Sequence, residues 1–260
     1  MSTAFIQHPT RLLSLAVKTP ALILVILCGM AIFAPDRLAA KNTVTMRRLE
    51  ILKKATAVNL APVDTLIPGI FIELKYATAN NFTGRMLYPP DMPCLLYRMT
   101  LARLKRAQKI LRKHKLGLKV WDAYRPPEVH RQLWQASKKS AYVVPPEMGT
   151  SLHCYGVAVD VTLVDRKGRE LAMPTAHDEF TPAAASTYSG GDPVILRNLT
   201  LLQKAMKKAG FSIINDEWWH FTNMEAAAAR VISAHQLGIQ LPTKQTLKAK
   251  AVRLPSTVQP

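Results

Sequence analysis

Three short stretches of this chain carry side chains whose types and spacing suit hydrolytic metal chemistry. In SLHCYGVAVDVTL (Ser151–Leu163), His153 precedes Asp160, with Gly156 between them and an apolar alternation around the aspartate. Alternation of this kind predicts a half-buried strand. An acid on such a strand needs a partner, because an unpaired buried carboxylate is costly. A metal ion, an arginine or a lysine could each fill that need. In NDEWWHF (Asn215–Phe221), Glu217 and His220 sit three apart beside two tryptophans, and in WDAYRPPE (Trp121–Glu128), Arg125 leaves a strand end. Zinc accepts imidazole nitrogen and carboxylate oxygen, and a catalytic site uses three protein ligands and keeps a fourth position for water. On this reading His153, Asp160 and His220 are the ligands, Glu217 is the general base and Arg125 steadies an oxyanion. The plain alternatives stay open. Each histidine could be a hydrogen-bonded structural residue, Asp160 could pair with Arg166 or Arg125, and Glu217 could cap its turn.

These groups need elements to hold them. Gly156 lets the chain turn between a loop carrying His153 and a strand carrying Asp160. A separation of three puts Glu217 and His220 on opposite faces of a regular strand, so Glu217 is expected on the bend before it. The flanking pattern predicts strands at GIFIELKYA (69–77), LKVWDAY (118–124) and FSIIN (211–215), and a hairpin over 156–172 turning at Lys167-Gly168. Helices are predicted over 98–114, from Pro127, over 193–209 with Gly210 closing it, and over 224–236. Residues 174–192 form a polar loop long enough to cover a site. Helices mixed with antiparallel strands predict a single α+β domain over 63–242. Residues 41–62 read as a helical or flexible linker, and 243–260 as a basic disordered tail. Among the remaining histidines, His114 and His235 are expected at the surface, and His177, in the polar loop, is expected at the surface or approaching a ligand.

The chain has 260 residues, with 35 Lys and Arg against 17 Asp and Glu, a formal charge of +18. That balance favours acidic partners such as an anionic cell-wall polymer. Much of it sits in LARLKRAQKILRKHKLGLKV (101–120), which reads as the solvated face of an amphipathic helix. No aromatic interleaving or nucleic-acid motif accompanies the basic run, so nucleic acid is not an expected partner. At the N-terminus, Arg11 and Lys18 precede an apolar run from Ala21 to Ala34, followed by small residues up to Ala40. Residues 1–40 thus read as an export signal or an uncleaved membrane anchor, placing the protein in the periplasm or cell envelope. Cys94 and Cys154 could pair there, but two cysteines do not make a disulfide scaffold.

From about Phe71 to Phe221 the chain resembles the VanX-type D-alanyl-D-alanine dipeptidases, a branch of the zinc peptidases that includes the VanY-type D,D-carboxypeptidases. The motifs are ELKYATANNFTG, WDAYRP, SLHCYGVAVD and EWWH, in that order. The resemblance implies a small α+β domain with a central antiparallel sheet. It also implies one zinc on His153, Asp160 and His220, Glu217 as catalytic base and Arg125 at the transition state. Ser151 matches a serine near the substrate's amino end, and Asp178 an acid that pairs with the substrate ammonium. Leu152, Cys154, Pro174 and His177 depart from the family's pattern. The implied activity is hydrolysis of the D-Ala-D-Ala dipeptide. Two alternatives are a D,D-carboxypeptidase on peptidoglycan stem peptides and a non-catalytic, zinc-stabilised cell-wall binding module.

Overall fold

In the computed structural model, residues 43–137 and 142–243 are described. The proposed export segment (1–40) and nearly all of the basic tail lie outside them. No helix among the described residues is long and apolar enough to cross a membrane.

The architecture is α+β. Residues 43–57 are helical (α1). They lead into β1 (Leu60–Pro62), the short α2 (Val63–Leu66) and β2 (Phe71–Ile72). After a long loop come β3 (Leu95–Tyr97), α3 (Arg98–Arg112), β4 (Gly117–Asp122) and α4 (Pro127–Ser137). The second half holds β5 (Ala158–Val164), α5 (Pro193–Lys208), β6 (Ser212–Ile213), β7 (His220–Thr222) and α6 (Ala234–Leu237). The main sheet has the order β2-β4-β5-β7-β6, and β1 pairs with β3 in a small second sheet. All pairings are antiparallel except β2 with β4. β5 lies between β4 and β7 in the sheet, and the strand expected to be half-buried is buried at every residue.

Local chemistry explains the element ends. Pro127 opens α4, where its missing N–H costs nothing. The Asp192 carboxylate caps α5 by accepting from Val194 N at 2.7 Å, with Pro193 next in line. Leu101, Leu104, Ala107 and Leu111 turn one face of α3 into the core, as their spacing predicts. The basic face of α3 is less idle than a purely solvated face. Arg103 is buried and donates to Gly210 O and Glu225, and Arg106 donates to Ala209 O at 2.9 Å. These cations thus satisfy carbonyls just past the C-terminus of α5, where positive charge is favoured.

Four expectations change. The strand expected over 69–77 shrinks to β2, followed by a 3-10 turn at Lys75–Ala77. Of the linker expected over 41–62, the described residues 43–62 belong to the fold, with Ile51, Ala55, Leu60 and Ala61 all buried in the core. The expected helix over 224–236 shrinks to α6, since Ile232 N donates to Cys154 O (3.2 Å) and Tyr124 OH donates to Ile232 O (2.7 Å). Those bonds hold the preceding segment on the core in a non-helical path. The expected hairpin after β5 reduces to one bridge, Val164 with Glu170. The antiparallel partners of β5 are β4 and β7 instead. Cys94 and Cys154 are both buried and free.

Candidate active site

Strand register builds the centre of the site. Asp122 on β4 pairs with Asp160 on β5, and Asp160 pairs with His220 on β7. The three side chains therefore stand in a row across neighbouring strands. A register shift between Val120 and Asp122 aligns the first of them. Two carboxylates directly opposite each other repel, so the arrangement needs cations. One is Arg125, whose Nε donates to Asp122 Oδ2 at 2.7 Å and whose Nη2 lies 3.8 Å from Asp160 Oδ2.

His153 arrives from the loop before β5. The Ser151 hydroxyl accepts from His153 N at 3.3 Å and so caps the 3-10 turn Leu152–Tyr155. Gly156 ends that turn at φ +68°, and a Cβ there would stand 2.6 Å from Leu60 Cδ2. Only glycine suits both conditions. The segment after β4 then cradles His153 from two sides. Its Nδ1 lies 2.7 Å from Ala123 O, and its carbonyl accepts from Arg125 N at 3.1 Å. With Nδ1–H donating to that carbonyl, the lone pair of Nε2 is left free to bind a cation.

The free ligand atoms form a nearly equilateral triangle. His153 Nε2 is 3.2 Å from His220 Nδ1 and 3.3 Å from Asp160 Oδ1, and the third side, His220 Nδ1 to Asp160 Oδ1, is 3.0 Å. Tetrahedral zinc with bonds of about 2.0–2.1 Å separates its ligands by about 3.3–3.4 Å. The donor set and its spacing therefore fit a zinc-sized divalent cation, and no comparable His, Cys, Asp and Glu group occurs elsewhere among the described residues. Burial lowers the pKa of His220, which favours the neutral imidazole that a metal requires. Burial alone would raise Asp160, but His153, His177 and His220 outweigh it and hold the carboxyl well below its usual range.

Glu217 lies on the turn before β7, as expected, with Oε2 3.7 Å from His220 Nδ1. Trp218 and Trp219, both fully buried, follow it in sequence and fix the turn. Trp218 N donates to Ala184 O, and Val161 N donates to Trp219 O. Burial, reinforced by the charges of Asp160 and Asp178, pushes the Glu217 carboxyl well above its usual pKa. A cation held by the triangle opposes that rise.

Asp178 reaches the same cleft from the 174–192 loop in a left-handed conformation, φ 57°. Its Oδ2 accepts from Tyr76 OH at 2.7 Å. Tyr76 in turn lies against the Arg125 guanidinium, 5.3 Å from ring centroid to Cζ. The cleft has a volume of about 230 Å³, below the usual range for drug-sized ligands of roughly 300–1,000 Å³. Arg125, Ser151, His153, Asp160, Asp178, Glu217 and His220 all line it. At its side, Tyr142 stacks on Phe180 with centroids 4.9 Å apart, and Phe180 meets Phe82 edge-on at 5.0 Å.

A family model described as D-ala-D-ala dipeptidase matches residues 56–238. This chain belongs to the D-Ala-D-Ala dipeptidase family. Its relatives include the D-alanyl-D-alanine dipeptidase of Escherichia coli strain K12, 36% identical over 169 residues, covering 65% of this chain and 86% of that protein. The Streptomyces coelicolor protein of the same description is 30% identical over 192 residues, covering 64% of this chain and 92% of the relative. The Enterococcus faecium one is 28% identical over 181 residues, covering 61% and 88%. Membership makes the chain a peptidase of a metal-dependent family, and the triangle is where a metal fits.

All seven residues singled out in the sequence thus meet in one cleft. Four neighbours were not singled out. Asp122, Tyr76 and Tyr88 hold Arg125 and Asp178, with Tyr88 OH donating to Asp122 Oδ1 at 2.7 Å. His177, expected at the surface or approaching a ligand, has its side chain almost wholly buried beside Asp160 and Asp178. Asp122 carried a readable signal, an acid three residues before Arg125 at a strand end. Tyr76 lies within the ELKYATANNFTG stretch, but nothing in its spacing tied it to Asp178, and Tyr88 carried no signal.

Proposed function

We propose that this protein is a zinc dipeptidase that hydrolyses D-Ala-D-Ala. The observation that carries the reading is the triangle of His153, Asp160 and His220 opening into the same small cleft as Glu217 and Asp178. The relatives described as D-alanyl-D-alanine dipeptidases support the choice of substrate.

Zinc bound there supplies a Lewis acid and a water acidified toward pKa ~7. The chain's own residues do the rest. Glu217 takes a proton from the attacking water on its carboxylate and delivers it to the departing amine. Arg125, fixed through Nε by Asp122, offers its remaining N–H groups to the negative charge that develops on the scissile carbonyl oxygen. Asp178, held by Tyr76, receives the free ammonium of the dipeptide. Ser151 lines the wall near that end. A non-catalytic binding module would not require both Glu217 and Arg125 in the cleft. A carboxypeptidase acting on stem peptides needs room for chain beyond the amino end. The buried Asp178 and the Tyr142–Phe180 stack favour the shorter substrate. The N-terminal run supports action in the cell envelope, where the +18 charge suits anionic polymers.

The test is to measure bound zinc and then the alanine released from D-Ala-D-Ala, L-Ala-L-Ala and a wall pentapeptide. About one zinc per chain, lost in His153→Ala and His220→Ala, is expected together with preferential cleavage of D-Ala-D-Ala. Stoichiometric zinc in both variants, or faster release from the pentapeptide, overturns the reading.

A further inference from the structure

We infer that His177 is a positioning residue that ties Asp160 to Asp178 and so sets the distance between the metal centre and the pocket for the substrate's amino group. The inference rests on the dipeptidase reading for the roles of those two aspartates. The geometry itself does not. His177 Nε2 lies 3.3 Å from Asp160 Oδ2, and His177 Nδ1 lies 3.3 Å from Asp178 Oδ2. One rigid ring thus spans the two carboxylates, with one nitrogen facing each.

The other atoms of both carboxylates are already engaged or face the cleft. Asp160 Oδ1 is turned to His153 and His220, which leaves Oδ2 for His177 and the more distant Arg125. Asp178 Oδ2 is shared between Tyr76 OH and His177. The ring cannot drift. Trp121 and Trp219 pack on it at centroid distances of 5.3 and 5.5 Å, and Tyr76 at 6.0 Å. An aromatic cage around a polar ring would serve a phenylalanine equally well if packing were its only purpose. The two nitrogens are what a phenylalanine lacks, and each meets a carboxylate. A partner that orients a ligating carboxylate contributes roughly 10- to 100-fold to metal affinity or activity. Here the same partner also fixes the loop residue Asp178, whose left-handed backbone leaves it dependent on tertiary contacts.

His177→Phe keeps the ring and removes both polar contacts. Zinc affinity, measured by chelator competition without substrate, is expected to fall at least about 10-fold. At saturating zinc, KM for D-Ala-D-Ala is expected to rise at least about 5-fold with a smaller change in kcat. The preference for the free over the N-acetylated dipeptide should narrow. His177→Gln, which restores an N–H donor, should recover part of both losses. Zinc affinity within 2-fold of wild type overturns the inference, and so does weakened zinc with an unchanged KM. Should His177→Phe fail to fold, as judged by its thermal transition, the same two readouts on His177→Gln decide, and wild-type values there overturn it. If the wild-type protein releases no alanine from D-Ala-D-Ala, the dipeptidase reading fails. The tie between the metal centre and the loop is then judged by zinc competition and by proteolysis of the 174–192 loop, and an unchanged result in both refutes it.

Discussion

At the scale of single residues, the proposed mechanism separates holding from reacting. His153, Asp160 and His220 point their free atoms at one another, whereas Glu217 stands one step outside the triangle. Glu217→Gln is therefore expected to keep zinc and fold but to lose at least ~100-fold in kcat, the usual scale of a general base. Loss of zinc with activity would make Glu217 a ligand instead. Asp178 predicts a different signature. Blocking the substrate amine leaves this buried carboxylate facing a neutral amide, and removing one partner of a desolvated pair costs ~2–5 kcal/mol. N-acetyl-D-Ala-D-Ala should be cut at least ~30-fold more slowly than D-Ala-D-Ala, taking the low end of that range. Asp178→Asn should narrow the gap by impairing the free dipeptide more. Equal rates on both substrates would point to a carboxypeptidase.

At the scale of elements, Gly156 is the hinge between what holds His153 and what holds Asp160. In Gly156→Ala the new Cβ must share space with Leu60 Cδ2 and with Tyr97 N, which lies 3.0 Å from the ideal position, at a backbone angle L-residues avoid. The strained conformation alone costs about 1–3 kcal/mol. Urea denaturation should show that loss, and chelator competition should show weaker zinc because His153 moves with the turn. Unchanged values in both would remove the turn from the account of the site. The same strands show what a sequence can disclose. Alternation around Asp160 and the offset between Glu217 and His220 were readable because a strand imposes period two on its neighbours. Residues 224–232 misled for the opposite reason. Their alanines favour a helix in isolation, but Ala226, Ala229 and Ile232 are buried on the core, and the bonds to Cys154 and Tyr124 outweigh local preference. The helix over 43–57 was among the readings of that segment, but its packing on the core was not, since only Ile51 and Ala55 of it are fully buried. Tyr76 and His177 lie in segments the sequence marks, but their contacts with Asp178 and Asp160 depend on how a 3-10 turn and a distant loop meet, which no local pattern encodes.

At the scale of the whole molecule, stability and pH are linked through His130 on α4. Its Nε2 lies 2.8 Å from Val144 O, and burial lowers its pKa to about 4, with Arg125 adding to the effect. The folded protein thus prefers the neutral ring, while the unfolded chain binds a proton near pH ~6.5. The contribution is complete above pH ~6.5 and is lost as pH falls toward about 4. The Tm advantage of wild type over His130→Gln should therefore shrink as pH is lowered from 7 to 4, and a constant difference would refute the assignment. The two free cysteines offer another view of the folded state. Burial raises the Cys154 thiol to about 12 and the Cys94 thiol well above its usual range, so neither presents a thiolate to reagent while the core is closed. Their alkylation is consequently a clock for opening rather than for reagent strength. The clock has two addresses, one directly before β3 and one in the turn that carries His153. If both positions label together, the domain opens as a unit. If Cys154 labels first and zinc delays only that event, the metal loop breathes on its own, at a rate the protein reports without any introduced probe.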